Sequence, residues 1–410
     1  MGTLSASLYT ALSGAHAAQY GIALTARNIS GTFTATYTAV SARFAEASTG
    51  GVAVQSPQFY RDPQLTSAIV AQASRDSYAE NLFNSLGQVE AILDTQSEDS
   101  LMIQITNLSK ALSDALAGQP GSKEALKNLL IGAGEEFVRV SHQIADRLGA
   151  VRDSQNSVIA NHISDANTLL KDIAQWNQKI PAYDELTTSA FRDNLQASIE
   201  DLSKKLGVEV SFNQAGRALV VSGTQVLVGW DGSVNPLGTS MTFQGGVLGA
   251  AQELRDRVIP RTLQGLDSAV NQIASDINSI LEGGSFSDGS PGKPLFRRGP
   301  LEGYSRSIEV ALSSSQDVAD AYPPDWDIHP SVDVVNALET FIGSRKHYLE
   351  KQKNSEGAYM DSLQSLRISQ RPQLEDEVVK QMLFRTAYEA NLKMISGVDD
   401  LMEATVNMLG

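Results

Sequence analysis

A mainly α protein is what this sequence predicts, with a coiled-coil helix at each end, a long helical-bundle rod body and a small inserted β region. Three observations carry that expectation. Between Ser369 and Gly410, Leu383, Ala387, Ala390, Met394, Gly397, Leu401, Ala404 and Met408 recur at alternating steps of four and three. A second row one residue on runs through Phe384, Tyr388, Ile395, Val398, Met402 and Leu409, with polar Asn391 and Thr405 among its positions. Two adjacent rows at a 3.5-residue repeat make a broad apolar face, the pattern of a helix that lies against other helices. The N-terminus mirrors it through Leu4, Leu8, Ala11, Ala15, Ala18, Ile22, Thr25 and Ile29. Between the two ends lie long proline-free runs with helical spacing.

In chain order, the first helix gives way to residues 30–51, rich in Thr, Ser and Gly, which read as irregular or extended backbone. Val52-Ala53-Val54 is a short strand candidate. Asp62-Pro63 is a strong helix start, since aspartate caps free amides and proline at the first turn loses no hydrogen bond. Leu82, Leu86, Val89 and Leu93 form one face, continued by Leu101, Ile105, Leu108 and Leu112 after the acidic stretch 97–100. Gly118-Gln119-Pro120-Gly121 stops that run. A second proline-free run extends from Ser122 to Ile180, and the two should pack antiparallel. A helix over 188–206 follows, and then the period changes to two. Val208, Val210 and Phe212, then Leu219–Val221 and Val226–Trp230, read as strands around the turn Asn213–Gly216. Helix returns after Gly245-Gly246, with a kink expected at Pro260. A Gly/Pro/Ser-rich loop spans 283–303, Ile308–Val310 is a strand candidate, and Pro323, Pro324 and Pro330 are breaks. Helix runs from Ser331 to the end, interrupted near Arg371-Pro372. The expected domains are a discontinuous terminal coiled-coil domain at 1–50 and 370–410, a helical rod at 51–206 and 245–369, and a small β domain at 207–244.

Composition narrows the function. The net charge of −15 argues against nucleic acid and anionic membrane surfaces, because counterion displacement needs clustered Lys and Arg. With no cysteine, disulfides, thiolate metal sites and thiol catalysis are excluded. No apolar run reaches the eighteen or so residues that span a bilayer, and the N-terminus lacks the pattern of a cleaved secretory signal. His16, His142, His162, His329 and His347 are too scattered for a metal spacing. Asp399-Asp400 and Glu375-Asp376-Glu377 read as solvated helix surface, favoured at a helix start by its dipole. Gly292-Lys293 is followed by Pro294, where a phosphate loop needs Ser or Thr. Trp176, Trp230 and Trp326 are dispersed and read as packing residues. No catalytic, metal or cofactor site is expected.

Several of these segments also resemble one family. Leu8-Tyr9-Thr10-Ala11-Leu12-Ser13-Gly14-Ala15 and Ala26-Arg27-Asn28-Ile29 look like the opening helix of flagellar axial proteins, most closely the flagellar hook-associated protein 1 family. Gly51-Val52-Ala53-Val54 with Tyr60-Arg61-Asp62-Pro63 looks like that family's lead into its first long helix. Leu206-Gly207-Val208-Glu209-Val210 is similar to its entry into the β region. Gly245–Gly249 through Asn271–Asn278, and Asp288-Gly289 to Pro294-Leu295-Phe296, are similar to its next helix and glycine-rich loop. Leu374-Glu375-Asp376-Glu377 and Ala387-Tyr388-Glu389-Ala390-Asn391 resemble its terminal signature. The likeness runs in order along nearly the whole chain. It departs at Ser30–Tyr37, where the family usually has an asparagine-rich segment ending in Thr-Pro-Gly-Tyr, and at Pro372. The chain is short for the family, so its outer β domain should be reduced.

The resemblance implies a structural flagellar protein at the hook–filament junction, exported through the flagellar channel without a cleaved signal. It implies a homo-oligomeric ring that meets the hook protein and the second junction protein or filament, with a cytoplasmic export chaperone at the C-terminal helix. The expected assembly interface is Leu4, Leu8, Ala11, Ala15, Ala18, Ile22 and Ile29 with Leu383, Ala387, Tyr388, Ala390, Asn391, Met394, Ile395, Leu401 and Met408. Such a seam, rich in small side chains, buries little area, so full ordering of the ends is expected on assembly. Alternatives are a filament, hook or rod-type axial subunit, a secreted coiled-coil effector, and a hydrolase whose site carries no sequence signature.

Overall fold

Terminal helices, a helical body and short antiparallel strands are all present in the computed structural model, which describes residues 2–48, 50–93, 100–117, 122–180, 185–322 and 333–409. The acidic stretch, the 118–121 turn, Pro181, Pro323, Pro324, Trp326, His329 and Pro330 lie outside the described residues, apart from Ser100. Helix α1 spans Gly2–Gly31, followed by a hairpin of β1 (Val40–Glu46) and β2 (Val52–Phe59). Helices α2 (Pro63–Leu93), α3 (Leu101–Ala117), α4 (Lys123–Lys179) and α5 (Glu185–Lys205) come next. Strands β3 (Glu209–Phe212), β4 (Ala218–Ser222) and β5 (Gln225–Val228) form a three-stranded antiparallel sheet in that order. Helices α6 (Gly246–Glu253) and α7 (Ile259–Glu282) flank a π turn at Leu254–Val258. Strand β6 (Phe296–Arg298) pairs with β7 (Ile308–Val310) around the short helix α8 (Tyr304–Ser307), and α9 (Asp333–Ser369) and α10 (Leu374–Leu409) complete the chain.

Local chemistry explains the boundaries. Asp62 Oδ1 accepts from the amides of Gln64 and Leu65 at 2.9 and 3.1 Å, so it caps α2 as its sequence position predicts. The kink expected at Pro260 takes the form of the π turn. Proline has no N–H to return to the carbonyl four residues back, and widening one turn relieves the clash. The sequence did not anticipate the β1–β2 hairpin; its single short strand candidate is one half of an extended ladder running from Glu46↔Val52 to Val40↔Phe59. Gly50 and Gly51 turn that hairpin with φ of 84° and 90°, which only glycine adopts without strain. The 207–244 segment is therefore one of three small sheets.

The chain falls into two compact units. One comprises Met1–Ser74, Ala166–Leu237 and Ala358–Gly410, the other Arg75–Asp165 and Gly238–Gly357. The second unit holds a continuous apolar core. Leu82, Leu86 and Val89 of α2 meet Ile105, Leu108 and Leu112 of α3, Leu130, Phe137, Val140 and Leu148 of α4, and Leu266, Val270, Ile273 and Ile277 of α7. The Phe137 and Phe296 rings pack at 5.6 Å between centroids, which brings the β6–β7 ribbon onto α4. In the first unit, Leu65, Ile69 and Ala73 of α2 pack with Met360 and Leu363 of α9.

Asparagines fasten each strand segment to a helix in the same way. Asn28 of α1 donates to the carbonyl of Val40 (2.8 Å) and accepts from its amide (3.0 Å). Asn177 of α4 does so at Ala218 (2.7 and 2.8 Å), and Asn278 of α7 at Phe296 (2.8 and 2.8 Å). Asn167 of α4 holds Leu237 likewise (3.1 and 2.7 Å). A side-chain amide presents one donor and one acceptor side by side, matching both groups of a single residue. Removing one orphans them, and a buried unsatisfied group costs about 1–3 kcal/mol. Asn177→Ala should therefore lower the urea midpoint more than Asp62→Ala, whose exposed cap is worth about 1 kcal/mol; the reverse order in equilibrium unfolding would refute this ranking.

Candidate assembly surface

The two ends of the chain form one antiparallel helical pair with a seven-residue register. A Cβ placed on Gly14 would lie 2.6 Å from Asn391 Oδ1, and one on Gly21 would lie 2.7 Å from the Phe384 ring. Seven residues further along α1, Asn28 donates from Nδ2 to Glu377 Oε2 at 2.6 Å. Positions 14, 21 and 28 of α1 thus meet 391, 384 and 377 of α10. Glycine at two of the three lets a ring and an amide sit where a side chain would be.

The predicted interface residues divide between the two faces of this pair. On α1, Ala11, Ala15 and Ala18 are buried, and Leu4, Leu8, Ile22 and Ile29 are half-buried. On α10, Tyr388, Asn391 and Ile395 are half-buried and belong to the row that includes Phe384. The first row of the sequence pattern is exposed throughout: Leu383, Ala387, Ala390, Met394, Leu401 and Met408 all lie open. Leu383 is 64 % exposed, Leu401 57 % and Met408 84 %. Met382, Leu392 and Val406 are also exposed on α10, away from this stripe, and Tyr9 and Leu12 are exposed on α1. Scattered exposed leucines are ordinary, but a stripe that repeats over successive helical turns is not.

The hairpin and a charged cluster hold the pair in place. Phe44 of β1 meets Phe384 edge-on at 5.8 Å, and Ser13 Oγ accepts from the Val52 amide at 3.1 Å. Asn28 Oδ1 also accepts from the Tyr37 hydroxyl at 2.7 Å, while Glu377 accepts from Lys380 at 2.8 Å. On α5, Asp193 receives Arg61 at 2.9 Å, Arg27 at 3.3 Å and the Thr38 amide at 3.2 Å. Burial raises the Asp193 pKa, opposed by hydrogen bonding from Thr38 and the two guanidiniums, and burial lowers that of Arg61. Burial also pushes the Tyr37 hydroxyl up to about 12, although Arg27 sits over its ring. The turn at 32–37, where the sequence departs from its relatives' usual pattern, is bridged by Arg371, whose guanidinium donates to the carbonyls of Thr32, Thr34 and Ala35. Nothing in the local sequence marks Asp193 or Arg371 for these roles. Gly14, Gly21 and Asn28 did carry a signal, their seven-residue spacing.

Comparison with known proteins follows this geometry. Residues 86–235 match the family model described as the flagellar hook-associated protein FlgK helical domain. The chain is 23 % identical over 346 residues to flagellar hook-associated protein 1 of Salmonella typhimurium, covering 74 % of this chain and 61 % of that protein. The same protein of Salmonella typhi gives the same values. The alignment thus spans less than two thirds of the curated relatives' length. The solved flagellar hook junction protein FlgK from Burkholderia pseudomallei aligns with a TM-score of 0.49 at 18 % identity, over 57 % of this chain and 47 % of that one. The class is a mainly α protein with paired terminal helices. The sequence similarity points toward the flagellar hook-associated protein 1 family, which the sequence resembles.

The register can be tested directly because the chain has no cysteine. Gly14→Cys with Asn391→Cys should close a disulfide on mild oxidation of the full chain. Gly14→Cys with Phe384→Cys should not, since seven residues displace the partner by about 10 Å along the helix. Equal cross-linking of both pairs, read as a gel mobility shift, would overturn the register.

Proposed function

We propose that this protein is a structural component of the bacterial flagellum, forming the junction layer between hook and filament. The observation that carries the proposal is the exposed apolar row of α10, which lies on a helix whose other row already packs on α1. An apolar stripe left open on a paired helix is suited to further helices, and in a homo-oligomeric ring neighbouring copies would supply them. The kinship with hook-associated protein 1 supports the same reading. The role is mechanical, and no reaction is assigned to it. The hook protein on one side and the second junction protein or filament on the other are the expected neighbours. Before export without a cleaved signal, a cytoplasmic chaperone would cover the α10 stripe, keeping the apolar row from premature association.

The two rows of α10 make different predictions. Leu383→Ser, Met394→Ser and Leu401→Ser together should leave the main thermal transition of the purified chain within about 2 °C, because exposed substitutions cost little. Cells carrying the triple variant should export the protein, shed it into the medium and swim poorly. Ile395→Ala, on the row facing α1, should instead weaken the terminal pair within the single chain as well. Normal retention of the triple variant on isolated hooks, with normal motility, would remove the exposed row from the assembly.

A further inference from the structure

A small cavity in the first unit gathers three arginines. It is lined by Arg61, by Arg367 and Arg371 near the end of α9, and by Thr36 and Gln370, with Asp62 the one carboxylate among the lining residues. Its volume is about 20 Å3, room for a single occupant, since one water needs about 10–15 Å3 on this scale.

The guanidiniums are incompletely matched by protein. Arg61 donates through Nη2 alone, to Thr38 and Asp193, and Arg367 through Nη1 alone, to Glu200 at 2.6 Å. Arg371 meets only carbonyl oxygens, with no carboxylate partner among the described residues. Each arginine carries five N–H donors, so several have no protein acceptor among the described residues. The Thr36 hydroxyl and the Gln370 side-chain amide make no hydrogen bond among the described residues either. Asp62, which also caps α2, brings one negative charge to the lining against three guanidiniums. Burial lowers the Arg371 pKa and the like charge of Arg367 lowers it further, against the opposing pull of Asp193, Tyr37 and Glu200.

We propose that this cavity binds one small monovalent anion of halide size, donated to by the free N–H groups of the three arginines and by Thr36. A tetrahedral oxyanion is too large for it. A bound water would fill the space but leave Arg371 without an anion in contact. The anion would relieve repulsion at the joint where the 32–38 segment, the start of α2 and the end of α9 come together. Chloride would then stabilise the terminal region by binding the folded chain alone.

The test uses the full chain at fixed ionic strength. Sodium gluconate is replaced stepwise by sodium chloride while thermal unfolding is followed, and the line width of the chloride-35 resonance is recorded in parallel. The melting temperature should rise by several degrees and saturate, bromide should substitute, and excess chloride line broadening should be displaced by bromide. Sulfate, which stabilises proteins generally by exclusion from their surface, should give no saturating response. Arg371→Gln should abolish the chloride-dependent part of the shift. Thr36→Val, which removes a hydroxyl and no charge, should weaken the chloride midpoint about ten-fold. Coincident melts in chloride and gluconate would overturn the proposal in favour of a water-filled cavity. So would a chloride response that is undiminished in both variants, or, if Arg371→Gln does not fold, undiminished in Thr36→Val.

Discussion

Each β segment of this protein depends on a helix asparagine that holds both backbone groups of one residue. Short strands cannot stand alone: two strands bury too little apolar area and leave their edges open. Asn28 at Val40, Asn177 at Ala218 and Asn278 at Phe296 replace part of the missing sheet with a side-chain amide. The result is a helical protein that can carry strands too small to form a core of their own. Because an amide spans only one residue, each contact also sets the strand's position along its helix. Asn28 does more than the others, since its amide reaches Glu377 as well. One residue therefore registers the hairpin, the end of α1 and the start of α10.

The pairing of α1 with α10 follows from size more than from hydrophobicity. The buried residues of α1 are mostly alanine, glycine and threonine, with Leu24 and Asn28 among them, and α10 brings Phe384, Asn391 and Val398. Small residues let the two backbones approach, so the large side chains of α10 need not all turn inward. That leaves a second apolar row without a partner among the described residues. A helix with two apolar rows and one intramolecular partner is incomplete by construction, and this asymmetry underlies the proposed structural role.

Charge is arranged with the same economy. In a chain of net charge −15, five arginines lie about the joint of α1, α5 and α9: Arg27, Arg61, Arg192, Arg367 and Arg371. Asp193 and Glu200 answer three of them directly. Half-buried cations need partners, because desolvation costs more than an exposed pair returns. Arg371 finds carbonyl oxygens at the end of α1, where the helix dipole favours a cation. Loss of that contact would free the turn at 32–37, which has neither proline nor glycine to fix its shape.

Periodicity determined much of this architecture from the sequence alone. The 3.5-residue rows located both terminal helices, Asp62-Pro63 placed the start of α2, and alternation over 208–230 marked the three-stranded sheet. These are local effects, set by residues within one or two turns of each other. Sequence could also show that α10 carries two apolar rows. It could not show which row α1 covers, because both satisfy the same spacing; the tertiary structure decided that through the close approach at Gly14 and Gly21. The hairpin at 40–59 was hidden for a related reason, since its strands gain order from α1 and Phe384 more than from their own composition. Asp193 and Arg371 were illegible because their partners lie more than a hundred residues away, and an ion pair leaves no periodic trace along the chain.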